Sequence, residues 1–350
     1  MSRAAKAGRL GRRREPEWAR WSDERLLTLR FRDLDLDWRG THVERCLDTL
    51  HAELKARAIR FRPHVWLSTE WMSPIGVPGI AIPFYLVHPR LRLLQRRQLL
   101  DIEGGNRVEC MRILRHECGH AMQQAYRLHR RGRFRELFGR SSKPYPDFYR
   151  PDPASRRFVQ HLSMYYAQSH PDEDFAETFA VWLRPRHTWR RRYAEWPALR
   201  KLEYVEELMH EIRRRGAAVR SREHVDPLRE LSTTLGEHYS RKREHHATHA
   251  PDLYDRHLTR LFSRNPADRG APRASRFLAR NRREIRKLVS RWTGEYQYTL
   301  ELVLRDMIQR CRELRLRAVG DEAQLRMDFA VMLTANTVHF LYRQRPRVAV

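Results

Sequence analysis

Lysine, cysteine and long apolar runs are what this sequence has little of. Only 6 of its 350 residues are lysine, against 64 arginines, so its positive charge is carried almost wholly by guanidinium groups. The four cysteines, at 46, 110, 118 and 311, form no CxxC pair and no zinc-ribbon spacing. That excludes a disulfide framework and points to reduced thiols in a reducing, cytoplasmic setting. The most apolar stretch, residues 75–87, is interrupted by Pro78 and Pro83 and is too short to span a bilayer. The first twenty residues are basic and lack the apolar core of a secretory signal.

Acidic residues are also outnumbered, 43 against 70 basic ones, which leaves a formal charge of +27. Such a balance draws polyanions weakly toward a surface. The arginines are nevertheless scattered rather than gathered into a run flanked by aromatics, a pattern that suits solvated helix faces better than a nucleic-acid stripe. With 41% hydrophobic and 32% charged residues the chain can bury a core, and its length suits two domains.

Residues 1–20 read as a basic tail. Leu26 to Phe31 (LLTLRF) has strand character, and apolar residues at 43, 47, 50 and 54 predict a helix over 41–59. The runs VWLSTEW and Gly79 to Val87 read as strands, with Pro83 suggesting an edge. The second of these serves either as an ordinary core strand or as the edge beside which an extended peptide binds. Residues 107–129 have the period of a helix, 132–153 that of a loop whose aromatics line a cleft, and 158–167 that of another helix. A further helix is predicted from about Asp172 to Leu183, capped by Ser169 with Pro171 in its first turn. Beyond residue 216, apolar positions from Leu288 to Leu314 predict one long amphipathic helix. A turn at Gly320 and Asp321 then leads to a last helix over 323–342. The expected architecture is α+β and mainly helical: a zincin-like catalytic domain over 21–215, with a small twisted sheet, then a helical domain over 216–350.

The chemistry concentrates in HECGH, residues 116–120. On a helix, His116 and His120 lie one turn apart on one face, so both imidazoles reach one cation. Glu117 then faces the adjoining cleft, placed to deprotonate water as a general base. A catalytic zinc needs a third protein donor, and the segment DEDFAETFA at 172–180 offers one. Glu173 is the candidate ligand, and Glu177, one turn further on, can take an imidazole N–H. The alternative is a solvated acidic face made by Glu173, Asp174 and Glu177.

HExGH followed some fifty residues later by YAxxHPxEDxAETxA resembles the zinc-binding metallopeptidases of bacteria, and EDFAE is similar to the third-ligand helix of the relatives of anthrax lethal factor. The resemblance covers about residues 107–184. It implies a gluzincin peptidase that holds one Zn2+ per chain through His116, His120 and Glu173, with Glu117 as base and a peptide or protein as substrate. It also implies a tyrosine seven residues before the glutamate, here Tyr166, whose phenol stabilises the oxyanion. Its neighbour Tyr165 is expected to be packing.

Other residues invite blander readings. Cys118 points away from the metal face, Gly119 lets another segment come close, and His170 belongs to its HP turn. The group His238, His245, His246, His249 and His257 reads as a polar segment rather than a second metal site. A competing function is a basic nucleic-acid-associated or scaffold protein in which the zinc site is structural and closed.

Overall fold

The computed structural model describes residues 15–343, apart from 101, 147, 150, 186–187 and 247–254, together with 348–349. The N-terminal part contains helices α1 (Asp23–Leu27) and α2 (His42–Ala56), strands β1 (His64–Ser68) and β2 (Gly79–Pro83), and helices α3 (Pro89–Leu99), α4 (Arg107–Tyr126) and α5 (Gly132–Leu137). There follow the short strand β3 (Phe148–Tyr149) and helices α6 (Pro171–Leu183), α7 (Trp189–Arg192), α8 (Ala198–Ile212) and α9 (Leu235–His246). Helices α10 (Asp255–Leu261), α11 (Ala274–Thr293), α12 (Gln297–Glu313) and α13 (Glu322–Arg343), with strand β4 (Val348–Ala349), complete the fold. The architecture is α+β and predominantly helical.

β1 and β2 pair in parallel, with His64 opposite Gly79 and Ser68 opposite Pro83. All five residues of β2 are buried, and the Ala81 N–H donates to the carbonyl of Met72 at 2.8 Å. β2 is therefore a core strand, and the segment around Met72 covers its edge at Ala81. That segment is in turn fastened to α4, because the Ser73 hydroxyl donates to the Glu117 carbonyl at 3.0 Å.

Among the described residues two large apolar cores form, beside a small cluster of Trp66, Val77 and Ala81. One gathers residues from Trp18 to Tyr239 around α2, α4, α6 and α8; the other gathers Leu258 to Leu333 from α10 to α13. Trp18 belongs to the first and donates its indole N–H to the Leu34 carbonyl, so residues 17–20 form an ordered 3-10 turn.

Several local expectations are corrected. Leu26 to Phe31 is not a strand: Ser22 caps α1, Leu26 is buried from that helix, and the chain then turns through a 3-10 segment at Phe31–Asp33. β2 stops at Pro83, where a 3-10 turn over Phe84–Leu86 takes over. The loop after Gly132 starts with helix α5, and residues 158–162 are not helical; a 3-10 segment begins only at Ser163. The single long helix from 288 to 314 is two helices, because Gly294 adopts φ 72° and caps α11, after which α12 packs back against it. Among the described residues no helix is long and apolar enough to cross a membrane.

Candidate metal centre

α4 begins at Asn106, whose side chain accepts from the Glu109 N–H, and runs unbroken through the HExxH segment. Every residue from Ile113 to Ala125 is buried, so this stretch is enclosed on all sides, and Arg115 ties it to α2 through a bidentate, buried pair with Glu53 at 2.6 and 2.8 Å. α6 crosses α4 closely. A Cβ on Gly119 would lie 2.8 Å from the Cα of Ala176, so the absent side chain is what lets the helices approach. That approach carries the carboxylates of α6 to the histidines of α4. The start of α6 is fixed by His170, whose Nδ1 accepts from the Asp172 N–H at 3.2 Å. Ser169, the expected cap, instead donates to the Tyr166 carbonyl.

His116, His120 and Glu173 converge. His116 Nε2 lies 2.9 Å and His120 Nε2 3.1 Å from Glu173 Oε2, and the two Nε2 atoms are 3.1 Å apart. Two zinc ligands each ~2.0–2.1 Å from the metal in a tetrahedral arrangement sit roughly 3.3 Å from one another, so the three atoms need little movement to accept the ion. Glu177, fully buried, lies 2.9 Å from His116 Nδ1, and its other oxygen accepts from the Leu162 N–H at 2.8 Å. Because a carboxylate only accepts, His116 donates from Nδ1 to Glu177 and, when protonated on both nitrogens, from Nε2 to Glu173. The electrostatics agree: burial disfavours charge on His116, but Glu173 and Glu177 outweigh it and hold its pKa well above the ordinary value. Burial likewise opposes ionisation of Glu173, but the two imidazoles hold its pKa well below the usual carboxylate range. In the absence of metal a proton plays the cation's part.

The carboxyl of Glu117 is buried beside this triangle, and its Oε2 has no hydrogen-bond partner. The Tyr166 ring centroid is 5.7 Å from that of His116. Burial first, and then the carboxylates of Glu173 and Glu117, push its phenol pKa up, so it stays protonated at neutral pH. Tyr165 occupies the left-handed region at φ 57°. Cys118 is fully buried in the core.

One participant was not singled out from the sequence. Tyr145 donates its hydroxyl proton to Glu173 Oε1 at 2.9 Å, and its ring stacks on His170 at 3.8 Å. His170 in turn bonds the Lys143 carbonyl at 2.9 Å, so one imidazole caps α6 and anchors the loop. The signal available was only general: a proline-flanked aromatic in a loop expected to border the cleft. Of the downstream histidines, His238 is buried among Phe31, Phe84 and Tyr239 as a core residue. His249 and the side chains of His245 and His246 lie outside the described residues.

No curated protein and no solved structure matches this chain. Residues 109–215, which contribute His116, Glu117, His120, Tyr166, Glu173 and Glu177, match a family described as "Putative zinc-binding metallo-peptidase".

Proposed function

We propose that the chain is a zinc-dependent peptidase of gluzincin type, in which His116, His120 and Glu173 hold one Zn2+ and Glu117 is the general base. The observation that carries this reading is the mutual approach of three donor atoms beside a buried, unpartnered Glu117 oxygen. A zinc ion in this place supplies Lewis acidity toward a scissile carbonyl and toward water. Glu117 Oε2 takes the proton of the attacking water and passes it to the departing amine. The protonated phenol of Tyr166 donates to the carbonyl oxygen as negative charge develops there. Glu177 fixes the tautomer and ring orientation of His116, and Tyr145 occupies the Glu173 oxygen that faces away from the histidines. Among the described residues the cluster offers three donor residues, as an open catalytic site requires; a closed structural site needs a fourth.

The test is zinc content measured alongside cleavage of a broad peptide panel. Glu117→Ala is expected to keep stoichiometric zinc at this site while turnover falls by about 10²–10⁴-fold. Native protein that carries no zinc here, or whose cleavage is untouched by Glu117→Ala, sinks the assignment. A salt-dependent shift with DNA or RNA and no hydrolysis would favour the basic scaffold reading instead.

A further inference from the structure

A second group of donors lies at the first turns of α4 and shares no residue with the first. His42 opens α2, Cys46 follows it by one helical turn, and Cys110 sits in the first turns of α4. One ligand atom from each, an imidazole nitrogen and two sulfurs, lie within 4.8 Å of one another. Both cysteines are buried, and the Nε2 of His42 is buried without a hydrogen-bond partner. We propose that His42, Cys46 and Cys110 form a second metal site, for a single thiophilic divalent cation of the zinc class, which ties α2 to the start of the helix that carries HExxH.

The donor chemistry fits such an ion. Zinc takes thiolate sulfur at ~2.3 Å and imidazole nitrogen at ~2.0–2.1 Å, which places tetrahedral ligands roughly 3.5–3.8 Å apart, inside the observed spread. Two thiolates and one imidazole supply three donors among the described residues, and the two negative charges cancel that of the ion. An ion of this kind binds both sulfurs as thiolates beside the imidazole, and the thiol protons leave to solvent. Arg107 already links the two helices, donating to the Thr49 hydroxyl at 3.1 Å, so the site closes a contact that exists without it. Cys110 precedes His116 by six residues, or ~9 Å of helix, which leaves the two sites separate.

Metal content of the full chain, purified with reductant present, tests this independently of peptidase activity. The native chain should hold two zinc ions, Cys46→Ser with Cys110→Ser one, and His116→Ala with His120→Ala one. A zinc content that the cysteine substitutions leave unchanged overturns the proposal, whatever becomes of the HExxH site. Loss of an ion in the cysteine variant but not in the histidine variant supports it while counting against the peptidase reading. Cobalt substitution of the unmutated protein guards against a misfolded variant: a thiolate-to-cobalt charge-transfer band in the near ultraviolet is expected, and its absence overturns the second site. Recovery of Cys46 and Cys110 joined as a disulfide from reductant-treated protein would also overturn it.

Discussion

At the scale of single residues, the decisive side chains are those whose polar atoms have one job left to do. Glu173 bonds both histidines through one oxygen and Tyr145 through the other. Glu173→Ala is therefore expected to leave the imidazoles without their carboxylate and weaken zinc retention, read as faster loss of zinc to a chelator. Tyr145→Phe removes only the orienting hydrogen bond. Its effect should be smaller, a loss of about 10–100-fold in zinc affinity; unchanged affinity would assign the tyrosine to loop packing alone. His116, Glu117 and His120 were legible from the sequence because helical spacing alone places them on one turn. Tyr145 was not, because its partner stands 28 residues away and the loop between them has no period from which to read a direction.

At the scale of elements, the site depends on the crossing of α4 and α6. Gly119 is a point of close approach, and a methyl group there meets backbone rather than a movable side chain. Gly119→Ala should cost about 1–3 kcal/mol of stability and loosen zinc binding, because α6 must shift to make room. Gly132→Ala, where nothing lies within 4 Å, serves as the control in the same thermal melts. Equal melting temperatures for the two variants would refute the close-packing account. The helices α2, α4 and α6 were legible where a helical period ran on uninterrupted, although the cap expected at Ser169 fell to His170, and the reading failed where a backbone state interrupted a continuing apolar pattern. From Leu288 to Leu314 the apolar spacing runs on through the Gly294 turn because α11 and α12 both present apolar faces to the same core. Pattern alone cannot distinguish one helix from two that fold back together.

At the scale of the whole molecule, histidines in apolar surroundings make the fold sensitive to acid. Burial is the largest cause lowering the pKa of His51, His88, His129, His161 and His238. For His238, among aromatic rings, the folded value is about 4 against an ordinary 6.5. The unfolded chain thus binds a proton that the folded one refuses. The resulting stability is fully present above about pH 6.5, falls as pH drops toward 4, and amounts to roughly 3 kcal/mol for this residue. Urea midpoints measured between pH 7 and 4.5 should decline, and His238→Phe should decline less; parallel curves would contradict this account. By itself the sequence determined the helix that bears HExxH, the acidic helix that follows it and the mainly helical class, because each rests on residue spacing within a few turns. Only the tertiary structure decided that Gly119 brings these helices together, that Tyr145 reaches Glu173, and that His42 and Cys46 meet Cys110. Those contacts join residues far apart along the chain, and their geometry is set by how whole helices pack rather than by any local preference.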